Sequence, residues 1–498
     1  MKISVIAKSV TQLEGPALLV PVFEKTRPLP AELHRLPEIT ATTLENALKT
    51  NEFEGKSGQL LTLYLPSNEP FRRVMLIGLG ERKKFDADAI RRTLGTAVQA
   101  LAKLKVADFV IPILTAANVD ARTFGQAAAE GAELGNFQFT EYLTSEESIR
   151  FKVTEGTIAV ADRAKAKRVQ AGVATGQIIA DAVNTSRRLV MIPGNALYPE
   201  ALAEEAVKMA RDLRIKSEVL GPEQIKKLKM GGVWEVGKGS ARQPRVVILT
   251  YRGNKRKKGI DVCLVGKGVT FDTGGICIKP TAGMAEMIGD MMGAATVLAA
   301  TVGAARLKLP INLVTIVPAV ENMPSQNAYR PGDIVTMMSA QTVEIISTDA
   351  EGRLILADAL TYADRFSPGA LVDVATLTGA AEIALGNQAA ALMGNDPALA
   401  RRMQKAAEIS AERVWELPMY DEYAEQIKSE VADIKNSGGR PAGTIIGGWF
   451  LRKFVGDNRW LHLDIAAMDW ETKGRPYIPK GCTGYGVRLL IQFLTDWK

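Results

Sequence analysis

The sequence predicts an α/β protein of two domains. A smaller N-terminal α/β domain covers residues 1–161, a helical linker covers 162–194, and a larger C-terminal α/β domain with a central mixed sheet covers 195–498. Three observations carry this reading. Short apolar runs of strand length alternate with alanine-rich stretches whose apolar residues recur at helical spacing. Runs such as Val246-Val247-Ile248-Leu249 are apolar at every position, as in a sheet covered on both faces. One long polar–apolar helical pattern starts at Asp162 and passes through Asn184 to the punctuation Met191-Ile192-Pro193-Gly194-Asn195, separating the two alternating regions. A chain of 498 residues can hold two or three domains and a large core.

Taken in order, the first domain carries strand signals at Lys2–Ala7, Ala17–Phe23, Leu60–Leu65, Arg73–Leu79 and Ala107–Ile113. Its helix signals are Ala87–Lys105 and Ala121–Asn136. Gly78-Leu79-Gly80 follows a strand, but Lys83 stands where a dinucleotide fingerprint needs its third glycine, so a tight turn is expected. The second domain opens with helix Pro199–Leu213, strand Ser217–Leu220, helix Pro222–Leu228 and strands Arg245–Tyr251 and Asp261–Val265. Helix Met284–Leu307, strand Ile311–Ala319, helix Leu354–Phe366 and strands Ala370–Ala375 and Trp460–Ile465 follow. There is no internal repeat and no low-complexity segment.

Composition narrows the function. Apolar residues make up 47% and charged residues 23%, the balance of a soluble globular chain. No apolar run approaches bilayer-spanning length. Met1-Lys2-Ile3-Ser4-Val5-Ile6-Ala7 runs straight into a strand pattern, so neither export nor a membrane partner is expected. The widely spaced Cys263, Cys277 and Cys482 suit a reducing compartment, and the expected location is cytoplasmic. Cys277 reads as a small packing residue. The only histidines are His34 and His462, which excludes HExxH zinc-peptidase chemistry and any three-histidine zinc site. A metal site in this chain has to be rich in carboxylates. A serine hydrolase would need a histidine near its nucleophile, and there is no GxSxG. The formal charge of +7 includes basic runs at Arg163–Arg168 and Lys255–Lys258, which are more often solvated faces than nucleic-acid sites.

The chemistry centres on Ser347-Thr348-Asp349-Ala350-Glu351-Gly352-Arg353-Leu354, between a strand-like run (Val343 to Ile346) and a helix-like run (Leu354 to Tyr362). In extended backbone, alternate residues share a side, which would converge Asp349, Glu351 and Arg353 on one pocket. The positive end of the following helix favours negative groups there. Two acids side by side are costly to bury without a cation, and one arginine does not neutralise both. A metal site is the natural reading. A solvated turn, with Asp349 as helix cap and Glu351 in the first turn, is the competing one.

Upstream, strand Asp261–Val265 runs into the glycine-rich segment Gly266-Lys267-Gly268-Val269-Thr270-Phe271-Asp272-Thr273-Gly274-Gly275-Ile276-Cys277-Ile278-Lys279-Pro280. Ligands of open α/β sheets gather beyond the carboxyl ends of the strands, and glycine lets the backbone approach them. The order of a phosphate-binding P-loop is absent. Asp290 is a lone charge on an otherwise apolar helical stretch, which points to a ligand.

These segments resemble the leucine aminopeptidase family of two-metal exopeptidases, as do Asn327–Asp333, Ala375-Thr376-Leu377-Thr378-Gly379-Ala380 and Gly484-Tyr485-Gly486-Val487-Arg488-Leu489. The likeness in order and spacing runs from about residue 184 to the end; the first third resembles the family only in layout. The resemblance implies that 195–498 is a catalytic metallopeptidase domain. It implies Lys267, Asp272, Asp290, Asp349 and Glu351 as metal ligands, with Asp272 and Glu351 bridging both ions. Lys279 and Arg353 become the catalytic pair, the arginine holding a bicarbonate that acts as general base. Lys279, Ser347, Thr376, Leu377 and Gly379 become substrate-binding residues. The family implies hydrophobic, leucine-type specificity and a homohexamer, a dimer of trimers. Ser347 departs from the family's usual asparagine, and Met292 from its usual small residue, which bears on side-chain preference and rate.

Charge counting supports the ligand set independently. Four carboxylates cancel the charge of two divalent ions, so Lys267 has to bind as a neutral amine, which burial beside dications favours. Lys279 should stay protonated, able to polarise the scissile carbonyl and stabilise the oxyanion. Oxygen-rich ligation suits Mn²⁺ or Mg²⁺, and affinity order favours Zn²⁺. An ion with an open position can take the free α-amine of a peptide substrate, which explains N-terminal cleavage. Two other classes compete. A DNA-binding accessory or regulatory role, known for some bacterial members of the family, is permitted by the net charge, yet no helix-turn-helix or aromatic–basic pattern stands out. A nucleotide-dependent oxidoreductase lacks its glycine fingerprint and ribose-binding acid.

Overall fold

The computed structural model describes residues 1–25, 33–50, 52–114 and 119–497. They form two compact units: Met1–Asp181 with Thr472–Lys480, and Ala182–Glu471 with Gly481–Lys498.

The first unit is built on strands β1 (Lys2–Ile6), β2 (Leu18–Val22), β3 (Leu60–Tyr64), β4 (Arg73–Gly78), β5 (Asp108–Pro112) and β6 (Glu155–Ala159). Their order is β1-β6-β5-β2-β4-β3, parallel except for β3 against β4. Strand β6 escapes sequence reading because Glu-Gly-Thr-Ile-Ala has little strand propensity; pairing on both sides makes it a strand. The helix Glu38–Lys49 is also additional to the sequence reading. Helices Ala87–Lys103 and Ala121–Gly135 start where Asp86 and Asp120 accept the backbone N–H of Ala89 and Thr123, each at 2.7 Å. Their apolar faces, with Leu94, Val98, Phe124 and Ala128, share a core with Leu19 and Met75 of the sheet. Gly80 takes the expected turn with a φ of 73°. The segment 472–480 rejoins this unit through the Tyr477 hydroxyl, which donates to Asp88 Oδ1 at 2.6 Å. The expected linker is one helix, Arg163–Met191, and the division between the units falls within it. Its basic run is exposed except at Ala166.

The second unit holds β7 (Lys216–Leu220), β8 (Arg245–Arg252), β9 (Val262–Gly266), β10 (Gly268–Asp272), β11 (Asn312–Asn322), β12 (Ile334–Thr336), β13 (Thr342–Glu344), β14 (Ala370–Ala375), β15 (Ala390–Gly394), β16 (Val414–Glu416), β17 (Ile434–Lys435) and β18 (Trp460–Asp464). The main sheet runs β16-β15-β18-β14-β9-β11-β8-β7, with β10 also on β11; β12-β13-β17 form a small second sheet. It is mixed: β18, β14, β9 and β11 are mutually parallel, while β15 on β18 and β8 on both β11 and β7 are antiparallel. Strand β11 is buried along its whole length and takes β9 on its first half and β10 on its second. Lys267 is the single residue between β9 and β10. The β10 register shifts between Val269 and Phe271, so Thr270 is an extra residue, a bulge.

One expectation needs correction. Met284–Arg306 is, by length and composition, apolar enough to cross a membrane, although no such run was expected. In the structure 89% of its most apolar window is buried, as a core helix of this unit.

Candidate metal centre

The parallel strands β9, β11, β14 and β18 end at one edge of the sheet, and that edge carries the polar residues. Lys267 follows β9, Asp272 ends β10, Asn322 ends β11, Thr376 follows β14 and Asp464 ends β18. Two more groups come from helical segments: Asp290 from the 3₁₀ stretch Met284–Met291, and Glu351 from the N-cap of helix Gly352–Ala363.

Asp272, Asp290 and Glu351 are buried and present carboxylate oxygens within 4.8 Å of one another. Lys267 lies among them, with Nζ 2.7 Å from Asp290 Oδ1 and 2.9 Å from Glu351 Oε1, and it donates to the Thr376 carbonyl at 2.7 Å. Room for it comes from Gly352, where a Cβ would stand 2.5 Å from Lys267 Cε. Asp272 Oδ1 accepts from Asn322 Nδ2 at 2.7 Å and from the Gly274 N–H at 2.8 Å. Thr376 Oγ1 donates to Asp290 Oδ1 at 2.8 Å. At the rim, Lys279 Nζ reaches Asp272 Oδ2 at 2.9 Å and Asp349 Oδ1 at 2.6 Å. The loop closes tightly here: Gly274 has a φ of +86°, and a Cβ on it would come within 2.4 Å of the Cys277 carbonyl oxygen.

The stretch 347–353 converges, but not as an extended strand. Strand β13 stops at Glu344, Thr348 and Asp349 form a turn, and Glu351 is already helical at φ −76° and ψ −39°, with no side-chain capping bond. Glu351 therefore points inward, and Asp349 stays at the edge beside Lys279. Arg353 is buried in the first helical turn, its Nη1 donating to the Asn436 carbonyl at 2.8 Å and its Nε meeting no protein partner. Ser347 is half-buried next to Asp349, its amide and carbonyl both tied to the Asn436 side chain. Along the 376–379 loop, Thr376 and Thr378 are buried, Leu377 half-buried and Gly379 exposed. Met292 is buried against Cys482, with sulfurs 3.9 Å apart. Cys277 is half-buried, its N–H on Thr348 Oγ1 at 2.8 Å. His462 is taken by Asp373, Nδ1 to Oδ1 2.6 Å, and contributes nothing to the cluster.

The electrostatics are those of a cation site. Burial, then the charge of Glu351, pushes the Asp272 carboxyl up to about 6 against the pull of Lys279 and Lys267. Burial lifts Asp290 well above its ordinary value even with Lys267 beside it. Burial also opposes ionisation of Glu351, but Lys267 and Lys279 outweigh it and hold that carboxyl below its ordinary value. Burial works against the charge of Lys267, but Asp290, Glu351 and Asp272 outweigh it and raise its basicity. Left to the protein alone, this lysine is an ammonium, and a neutral amine requires a stronger positive charge to displace its proton. Asp290 Oδ2 and Glu351 Oε2 are buried with no hydrogen-bond partner. Orphaned carboxylate oxygens facing a cluster of acids are what a divalent ion would satisfy, so the donor set fits a metal.

Sequence reasoning missed Asn322, Thr348 and Asp464. Asn322, with Glu321 before it at the end of a largely apolar strand, carried a signal; the others are ordinary loop and strand-end polar residues that gain meaning only from their neighbours.

Comparison with known proteins agrees with the geometry. The model of the cytosol aminopeptidase family, catalytic domain, matches residues 184–491, and that of the family's N-terminal domain matches 19–146. The chain is 44% identical to a probable cytosol aminopeptidase of Geobacter sulfurreducens, over 99% of each chain. It is 43% identical to one of Solibacter usitatus, over 100% of each, and 41% identical to one of Pseudomonas aeruginosa, over 96% of each. Among solved structures, the bottromycin maturation enzyme BotP in complex with Mn superposes with a TM-score of 0.84 at 32% identity, covering 97% of this chain and 99% of that one.

Proposed function

The chain belongs to the cytosol aminopeptidase family and is an aminopeptidase, a peptide-bond hydrolase; we propose that it is a two-metal enzyme that prefers N-terminal leucine or another hydrophobic residue. The observation that carries this reading is the buried trio Asp272, Asp290 and Glu351, with its orphaned oxygens and the Lys267 amine in their midst.

In this reading Lys267, Asp272, Asp290, Asp349 and Glu351 would hold two divalent ions, Mn²⁺ or Zn²⁺ with Mg²⁺ as the third choice. Bound ions of this kind make water nucleophilic near neutral pH and polarise a carbonyl. Lys267 would bind such an ion as a neutral amine. Lys279, less buried and among carboxylates that raise its basicity, keeps its charge and offers it to the oxygen of the scissile carbonyl. Arg353 presents an unpaired Nε–H suited to a small planar anion, and would hold there a bicarbonate able to supply the general base. Ser347, Thr376, Leu377 and Gly379, with Lys279, line the peptide's binding site. Peptides with a free amino terminus are the substrates, and a cytoplasmic homohexamer is the working form.

The test is chelation to metal-free protein, verified by elemental analysis, then refilling with Mn²⁺, Zn²⁺ or Mg²⁺ singly and assay against a panel of aminoacyl amides. Activity should vanish and return, highest on leucine and its apolar neighbours. Turnover untouched by complete metal removal, or near-normal turnover in Asp272→Ala, sinks the two-metal reading. A flat panel sinks the leucine preference, and a solution mass near 53.8 kDa sinks the hexamer.

A further inference from the structure

We propose that Asp464 is a positioning residue for the loop Thr376–Gly379, an inference that rests on the reading of that loop as substrate-lining. Asp464 ends β18 and is fully buried. Its Oδ1 accepts the backbone N–H groups of Leu377 at 3.1 Å, Thr378 at 3.4 Å and Ala466 at 3.2 Å. Its Oδ2 accepts the Thr378 hydroxyl at 2.7 Å. That hydroxyl has one proton and has given it away, so at 3.0 Å it accepts from Thr444 Oγ1, on helix Gly443–Arg452.

The other end of the loop is fixed just as firmly. Lys267 Nζ donates to the Thr376 carbonyl, and Thr376 Oγ1 donates to Asp290. Only Leu377 and Thr378 lie between this clamp and exposed Gly379, and Asp464 takes both of their N–H groups. The metal-side clamp and the β18 clamp together fix the distance from the cluster to any peptide resting on the loop. One carboxylate thus holds both N–H groups and the Thr378 hydroxyl of the loop.

The experiment uses the full chain loaded with Mn²⁺, as Asp464→Ala, Asp464→Asn and Thr378→Val. Steady-state kinetics on leucine p-nitroanilide are read beside bound metal and amide hydrogen exchange across residues 375–380. Misplacing a binding loop by about 1 Å costs on the order of 10²-fold, so Asp464→Ala should lose about that much kcat/KM, chiefly through KM, with metal content unchanged. Its Leu377 and Thr378 amides should exchange about tenfold faster than in wild type once their acceptor is gone. Asp464→Asn keeps an acceptor oxygen and can donate to Thr378 Oγ1, so it should recover most of the loss; Thr378→Val should fall between. Wild-type KM and exchange in Asp464→Ala, with only a lowered melting temperature, would reduce Asp464 to a structural cap and overturn the proposal. If Asp464→Ala does not fold, wild-type KM and exchange in Thr378→Val overturn it equally. Wild-type protein inactive on peptides would count against the aminopeptidase reading instead, and the exchange comparison would still decide the clamp.

Discussion

Lys267 and Lys279 leave the same glycine-rich segment, and each bridges two carboxylates at salt-bridge distance: Asp290 and Glu351 for the first, Asp272 and Asp349 for the second. Water separates the two arrangements. The Lys267 side chain is 4% exposed with partners at 9% and 2%, whereas Lys279 is 23% exposed and Asp349 40%. In the inner group no charge can be removed unless another replaces it, because burying an unpaired carboxylate is costly. In the outer group Asp272 is as buried, at 2%, and solvent or substrate can take the place of Asp349 alone. The same residue types are therefore suited to a fixed ligand in one place and a mobile electrophile in the other.

The sharpest way to break this contrast is to remove each cation. Lys267→Met should abolish retention of one ion per chain and lower kcat/KM by at least about 10³-fold, a few kcal/mol of lost transition-state stabilisation. Lys279→Met should keep full metal content and lose about 10² to 10³ in kcat, the range for a missing oxyanion donor. Elemental analysis beside kinetics separates them; metal loss in the second and not the first would reverse the comparison. Next in size is Asn322→Ala, which deprives Asp272 of a side-chain donor and should weaken metal affinity by about 10 to 100-fold in chelator competition.

The smallest effect comes from a buried carboxylate held by backbone N–H groups. Asp358, on the helix that Glu351 begins, accepts the backbone N–H groups of Val233 at 3.0 Å and Met338 at 2.8 Å. Burial pushes its carboxyl up to about 7 despite those bonds. A folded value above the unfolded one means its contribution to stability is complete below the unfolded value and is lost as pH rises through about 7. Asp358→Ala should destabilise the protein by about 1–3 kcal/mol at neutral pH through the orphaned N–H groups, without changing bound metal. Its urea midpoint should also fall less than wild type's between pH 5 and 8. Equal pH profiles would show that burial alone does not distinguish Asp358 from Glu351.

Much of the fold was legible because its signals are local. The apolar runs at Val246–Leu249 and Ala370–Ala375 became strands, and Pro199 and Pro222 open helices. At the site, the acids stood out as charges in apolar or glycine-rich surroundings. Alternation was the wrong reason for their convergence, since a turn and a helix start, not a strand, aim Glu351. What stayed hidden depends on distant neighbours: Asn322 beside Asp272, the Thr376 carbonyl on Lys267, and the return of 472–480 to the first unit. Met284–Arg306 was misjudged for a related reason, since apolarity all round a helix is decided by what covers it.

The extra residue at Thr270 makes this site sensitive to length in a way that substitutions do not reveal. Side chains along β10 alternate between the faces of the sheet, so the count from Val269 to Asp272 acts as a reading frame. An exchange of one side chain there leaves Asp272 opposite Asn322. An insertion or deletion of one residue in those few positions should turn the aspartate toward the opposite side and bring Phe271 round in its stead, silencing the centre with every proposed ligand still in the sequence.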